Sequence, residues 1–217
     1  PAEVVEPTFL STAPEGQELK AGVIGCGGRG TGAAINFLSA GAGLSVVAAA
    51  DMFQDRMDSF RQKLKDEKNA TLDDSRCFLG FDAYKQVIES DVDIVILATP
   101  PFFRPEHFQA CVEARKHVFM EKPVAVDPVG ARAVMAASKQ AEAAGLCVVT
   151  GTQRRHQWSY QNLKARVDAG MIGDIVATNV YWNMSKLWHK DLMAGWTEME
   201  YMLRDWVNWT WLSGDHI

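Results

Sequence analysis

From Ala21 onward the chain alternates short, continuously apolar runs with longer amphipathic stretches. The runs are AGVIG (21–25), LSVVAAA (44–50), DIVILAT (93–99), HVFME (117–121) and LCVVT (146–150). Runs that are apolar throughout, rather than at alternate positions, suit strands covered on both faces. A weaker run, CFLGF (77–81), predicts a short strand near the sheet edge. Between the runs, the spacing predicts helices over 30–39, 53–68, 82–90, 105–116 and 128–144. The last of these opens with Asp127-Pro128, a capping residue followed by proline at the first helical position, and stops at Gly145. Parallel strands need crossover helices, so the alternation predicts an α/β fold with a doubly wound parallel sheet over 20–150. Residues 1–19 read as a polar, aperiodic arm.

After Thr150 the texture changes. A helical stretch over 156–169 precedes the strand-like IVATNVYWNM (175–184). All seven tryptophans fall in this last third. Such a shift predicts a boundary near residue 150, with 151–217 opening a second, incomplete domain.

Composition narrows the partners more than the fold. Apolar residues make up 47% and the formal charge is −5 with no basic stripe, which argues against nucleic acid and anionic membrane surfaces. A small molecule or another protein is the better expectation. No segment approaches the ~18 apolar residues of a membrane span. Cys26, Cys77, Cys111 and Cys147 are widely spaced, and the expectation is four buried thiols rather than a disulfide frame or a zinc site. The chain starts at Pro1, which fits a removed leader or a trimmed start. A soluble protein is expected, cytoplasmic or, if a leader was removed, periplasmic.

The first strand runs into Gly25-Cys26-Gly27-Gly28-Arg29-Gly30, a G-x-G-x-x-G pattern at Gly25, Gly27 and Gly30. The first glycine serves the tight turn and the second lets backbone N–H groups approach a pyrophosphate. The third lets the helix lie close on the strand, with its N-terminal partial charge toward the phosphates. Asp51 closes the second run, 21 residues after Gly30, where a carboxylate can accept from both ribose hydroxyls. A 2′-phosphate would meet a like charge there, so NAD is expected over NADP, with Arg29 and Arg56 near enough to soften the preference. The competing reading is a tight turn and a surface aspartate.

The fifth run leads directly into Glu121-Lys122-Pro123, and the fourth ends in Ala98-Thr99-Pro100-Pro101. Strand ends of a doubly wound sheet open on the ligand crevice, so Lys122 is placed to reach a nicotinamide or its substrate. A plain surface lysine is the alternative. At these residues the chain resembles the Gfo/Idh/MocA family of NAD(P)-dependent sugar and cyclitol oxidoreductases. GVIGCGGRG, Asp51, ATPP, HVFMEKPVAVD and GTQRRH…MIGDIVATNVYW occur in the family's order over about residues 20–217.

The resemblance implies an N-terminal Rossmann domain and a C-terminal α+β domain with a large open sheet that usually pairs with another subunit, hence a homo-oligomer. It implies oxidation or reduction of a sugar-like carbinol. It puts Gly25, Gly27 and Gly30 on the pyrophosphate and Asp51 on the ribose, with Cys26, Arg29, Thr99, Pro100 and Glu121 also among the cofactor-binding residues. Lys122 would hydrogen-bond the reacting hydroxyl, and Arg155 would open the second domain near the nicotinamide. Two other outcomes share these motifs: net glycoside hydrolysis by transient oxidation, elimination and re-reduction, and a non-catalytic dinucleotide-binding subunit.

Tryptophans serve either as packing or as faces for sugar C–H groups. Most of the seven read as packing, whereas Trp188 and Trp196, in the irregular SKLWHKDLMAGWTEME, are the candidates for substrate contact. Among the five histidines, His107 and His117 read as hydrogen-bonded residues of the first domain and His189 as an exposed loop residue. The closing Gly214-Asp215-His216 reads as a strand-to-helix junction at which Asp215 and His216 are candidate substrate residues. Two such ligands are too few for a metal site. The resemblance implies a further acid and a catalytic histidine beyond Ile217, so the stretch 1–217 alone is expected to bind NAD with little turnover.

Overall fold

The computed structural model describes residues 18–215. Its six strands form one parallel sheet: β1 (Leu19–Ile24), β2 (Leu44–Asp51), β3 (Cys77–Leu79), β4 (Ile94–Leu97), β5 (His117–Met120) and β6 (Val148–Thr150). Their order in space is β3-β2-β1-β4-β5-β6. The chain winds outward from β1 to β3, crosses back to β4 beside β1, and winds outward again to β6. Strand order therefore reverses between β1 and β4, which opens a crevice at their carboxyl ends.

The helices α1 (Gly28–Ser39), α2 (Gln54–Lys68), α3 (Ala83–Glu89), α4 (Arg104–Glu113) and α5 (Pro128–Ala143) fill the crossovers. Alternate residues of one strand feed opposite faces. On β4, Val95 and Leu97 join the core under Val87, Phe108 and Val134, while Ile96 joins the core under Ala34, Met57 and Phe60. Double-sided burial is thus the cause of the continuous apolar runs. The Asp127 carboxylate accepts the Gly130 N–H at 2.6 Å and caps α5, and Gly145 takes a positive φ of 69° after it.

Two expectations about the cysteines divide. None of the four is in a disulfide, and Cys26 and Cys111 are buried. Cys77 is only half-buried and Cys147 is exposed. The reason is position in the sheet: Cys77 opens β3 and Cys147 precedes β6, and these are the two edge strands.

By packing, the described residues form two compact units, one of 152–205 and one of 18–151 together with 206–215. The unit of 152–205 carries α6 (Gln153–His156), α7 (Trp158–Asp168) and α8 (Glu198–Arg204). The helix expected over 156–169 breaks at Gln157, whose backbone is extended. The stretch 175–184 joins no strand ladder among the described residues, and Val176 and Val180 are 95% and 87% exposed. A strand exists only through a partner, and within this unit the described residues supply none. Residues 206–215 include α9 (Thr210–Ser213), whose Leu212 is fully buried. No helix among the described residues is long and apolar enough to cross a membrane.

Candidate functional site

The glycine loop sits at the point where strand order reverses, and packing explains which glycines it needs. Gly25 has φ +94°, and a Cβ there would lie 2.7 Å from the Ala98 carbonyl carbon and 2.8 Å from the Thr99 nitrogen. The turn after β1 is therefore pressed against the turn after β4. A Cβ on Gly30 would fall 1.8 Å from the Gly25 oxygen, so α1 can pack on the turn only without a side chain. Gly27 and Gly28 differ. A Cβ on Gly27 meets only the tip of Arg56 at 3.2 Å, and one on Gly28 meets nothing within 4 Å.

No side chain caps α1. Its first N–H groups lack helical partners and lie at the positive end of the helix dipole. Backbone donors without helical partners, beside an open position at Gly28, make a cradle that suits a pyrophosphate.

Asp51 ends β2 beside this cradle. Its Oδ2 accepts the Cys26 N–H at 2.7 Å and its Oδ1 accepts the Phe53 N–H at 2.9 Å. The carboxylate thus locks the glycine turn, and its remaining lone pairs can accept from a further donor. Cys26 turns its side chain inward, and its thiol donates to the Ala50 carbonyl at 3.4 Å. Burial pushes that thiol well above its ordinary value, with the Asp51 charge adding to the effect, so it stays protonated.

The same loop reaches the end of β5 through a charge pair. Arg29 Nε donates to Glu121 Oε1 at 2.6 Å; the Arg29 side chain is 53% exposed and that of Glu121 only 5%. Gly151, just past β6, leaves the space that carboxylate occupies: a Cβ there would lie 2.5 Å from Glu121 Oε2. Lys122 follows, exposed, with a cis peptide bond to Pro123.

Two buried residues stand behind these turns, and the first of them, Arg104, gave no signal in the sequence. Arg104, at the start of α4, is 3% exposed. Its guanidinium donates to the carbonyls of Thr99, at 2.6 Å, and Pro123. Burial lowers it to about 10, and the nearby Glu121 charge opposes that, so it remains a cation at neutral pH. One turn on, His107 stacks on Tyr84 at 4.2 Å and lies 3.5 Å from the Thr99 hydroxyl. Burial, then the Arg104 charge, lowers His107 to about 4, so it is neutral. Its burial fits the hydrogen-bonded helix residue expected of it. Helical position gave no signal for Arg104, because a charged residue at a helix start reads as solvated surface.

Residues 206–215 pack on the rim of the same sheet. The Trp211 ring meets Phe102 edge-on at 5.2 Å, and a Cβ on Gly214 would lie 3.5 Å from the Val126 Cα. Pro100 precedes the 3-10 turn Pro101–Phe103 on which Trp211 rests. Asp215 is exposed and follows the single turn α9, so the junction is helix-to-coil rather than strand-to-helix. The chain beyond α9 leaves through Gly214 at φ +79°, which no periodicity announces. His216 lies outside the described residues.

The other unit holds Arg155, Trp188 and Trp196. Arg155 is exposed on α6, Trp188 is 47% exposed, and Trp196 carries the Arg204 guanidinium 4.9 Å over its ring. His189 is exposed and lies outside any helix or strand, as expected, and its Nδ1 lies 3.3 Å from Oδ2 of Asp205, which is 1% exposed. The other oxygen of Asp205 accepts the Lys190 N–H at 2.8 Å. Among the described residues no group of three metal-ligating side chains converges.

Residues 19–151 match the Gfo/Idh/MocA oxidoreductase family, an NAD-binding Rossmann fold. The myo-inositol 2-dehydrogenase of Thermotoga maritima is 28% identical over 155 residues, 71% of this chain and 42% of that protein. An inositol 2-dehydrogenase of Saccharopolyspora erythraea is 30% identical over 158 residues, 73% of this chain and 44% of that protein. The scyllo-inositol dehydrogenase of Lactobacillus casei, solved with NAD(H) and scyllo-inositol, superposes with a TM-score of 0.59 at 26% identity. That superposition covers 73% of this chain and 43% of the other. The chain spans less than half the length of these relatives.

Proposed function

The chain belongs to the Gfo/Idh/MocA oxidoreductase family, and from that premise we propose that the whole protein transfers a hydride between NAD and a carbinol carbon of a cyclitol, sugar or sugar derivative. The observation that carries the reading is the pressing of Gly25 against Ala98 and Thr99. It brings the phosphate cradle, the Asp51 carboxylate and the end of β4 to one crevice, with Glu121 and Lys122 at the neighbouring strand end.

In this reading the N–H groups at the start of α1, with Gly25, Gly27 and Gly30, hold the pyrophosphate, and Asp51 accepts from the adenosine ribose. NAD is favoured over NADP because a 2′-phosphate would approach the Asp51 carboxylate. Thr99, Pro100 and Glu121 line the nicotinamide half. When bound, the nicotinamide supplies the hydride acceptor. Lys122 hydrogen-bonds the reacting hydroxyl and shares its proton with a basic group as the carbinol becomes a carbonyl. Residues 20–150 serve as the cofactor domain. Residues 151–217 begin the substrate and subunit-pairing domain, and Arg155, Trp188, Trp196, Asp215 and His216 are the candidate substrate-binding residues. Two copies or more pair through that domain.

The test is to incubate the whole protein with NAD and a panel of inositols, aldoses and glycosides while following reduced-nicotinamide absorbance and product mass. Reduced cofactor with a product two hydrogens lighter is the expected result. Glycoside cleavage with no net reduction, or no chemistry on any carbinol, overturns the reading.

A further inference from the structure

The ends of β4 and β5 are joined by a buried cation. Arg104 is 3% exposed and makes no ion pair among the described residues. Its fork donates instead to two backbone carbonyls on different loops, Thr99 after β4 and Pro123 after β5. Its Nε has no hydrogen-bond partner among the described residues. Burying a guanidinium without a carboxylate bonded to it is costly, even with the Glu121 charge nearby, and an apolar side chain of similar length would pack there at less cost. What the apolar chain cannot do is bridge two chains with fixed geometry. The planar fork sets both the spacing and the angle between its acceptors.

One bridged carbonyl belongs to a residue pressed on the glycine turn, since the Thr99 nitrogen limits Gly25. The other belongs to the residue bonded to Lys122. Arg104 therefore fixes the backbone that carries Lys122 relative to the backbone that borders the phosphate cradle. His107, a turn along the same helix, is neutral and meets the Thr99 hydroxyl at 3.5 Å, so it adds no second charge to compete for these acceptors.

We propose that Arg104 is a positioning residue for hydride transfer: it clamps the turns after β4 and β5 so that Lys122 meets the reacting hydroxyl. This rests on the reading that Lys122 contacts substrate, but the clamp itself can be measured without that reading. Among the described residues Arg104 makes no hydrogen bond to Asp51 or to residues 25–30, so its loss strikes turnover more than cofactor affinity.

The experiment compares the whole wild-type protein with Arg104→Met and Arg104→Lys. Hydrogen exchange by mass spectrometry reads peptides spanning 97–103 and 120–126 with no cofactor or substrate added. Titration gives the NAD Kd, and steady-state rates give kcat and KM. The expected result is faster exchange confined to those two segments, with an NAD Kd within about threefold of wild type. With it comes a kcat lower by roughly 100-fold in Arg104→Met, the scale of a small misplacement of a reacting group, partly restored in Arg104→Lys.

Wild-type exchange in both segments, an unchanged kcat, or a Kd loss that accounts for the whole kcat/KM loss overturns the proposal. Global loss of protection in both variants overturns it too, since Arg104 would then be a folding residue. If the wild-type protein oxidises no carbinol, the functional reading fails separately. The clamp is then decided by exchange together with the rate of Lys122 acylation with and without NAD: NAD must shield Lys122 less in Arg104→Met than in wild type, and equal shielding refutes it.

Discussion

Nε of Arg29 lies 2.6 Å from Oε1 of Glu121, so the helix that opens the phosphate cradle is tied to the end of β5. The two ends of the pair are unequally buried, and this decides what each deletion costs. Arg29→Ala strands a carboxylate that is 5% exposed, whereas Glu121→Gln strands a guanidinium that is 53% exposed and can turn to water. Arg29→Ala should lower stability by about 1–2 kcal/mol, discounted from a fully buried pair because Arg29 is half in solvent, and Glu121→Gln by less than half of that. Urea denaturation of the two variants reads the asymmetry; equal losses would contradict it.

Two glycines of one motif should fail in different ways. A Cβ on Gly30 meets the Gly25 carbonyl oxygen at 1.8 Å, and neither backbone can yield cheaply. Gly30→Ala should cost about 3 kcal/mol of stability. A Cβ on Gly27 meets only the flexible end of Arg56, so Gly27→Ala should melt within a few degrees of wild type. On the proposed cofactor site its methyl group would instead face the pyrophosphate and raise the NAD Kd by roughly tenfold or more. Thermal denaturation paired with NAD titration separates the two, and a destabilised Gly27→Ala would sink the assignment.

The strands were readable because burial on both faces leaves a mark that local sequence carries: β4 is apolar throughout, and β1, β2 and β5 carry the unbroken apolar runs 21–24, 46–50 and 118–120. The glycine motif and Asp51 were readable because their spacing follows from the length of one strand-helix-strand unit. Arg104 and Asp205 were not, since each is a charged residue whose burial depends on partners far along the chain or in a loop. The same limit applies to 175–184, where the alternation of side chains predicts a strand but cannot supply the neighbour that makes one. Leu212 shows the converse. Composition groups it with the tryptophan-rich third, yet it packs with the unit that holds the sheet.

Asp51 ties the glycine turn and is the proposed ribose acceptor, and a substitution should test both roles. Its oxygens already accept the Cys26 and Phe53 N–H groups at 2.7 and 2.9 Å. Asp51→Ala leaves the Cys26 N–H without its acceptor and should cost about 1–2 kcal/mol of stability in the cofactor-free protein. On the proposed ribose role it also removes a charge that would oppose a 2′-phosphate, so the ratio of NADP to NAD dissociation constants should fall by about tenfold or more, some 1.4 kcal/mol. Titration with both cofactors measures this. A ratio unchanged in a folded variant would show that Asp51 serves the turn alone.

His107 should make the fold sensitive to mild acid. It is buried against Tyr84 and Phe103, and burial together with the Arg104 charge lowers it to about 4 from an ordinary 6.5. Folded, it binds a proton more weakly than it does unfolded, so stability rises with pH between those values. Its contribution is complete above about pH 6.5 and disappears as the pH falls toward 4. Over the upper part of that window, from pH 7.5 to 5, the loss from this one group should be about 2 kcal/mol. Carboxylates also begin to titrate near pH 5, so the wild-type curve alone does not isolate the effect. His107→Phe keeps an aromatic ring between Tyr84 and Phe103 but has no proton to bind. Denaturant unfolding of both proteins at pH 7.5, 6 and 5 gives a difference that must shrink or reverse by that amount as the pH falls. A difference that stays constant would mean that His107 is protonated in the folded protein or open to water, and the neutral histidine beside Arg104 would have to be given up.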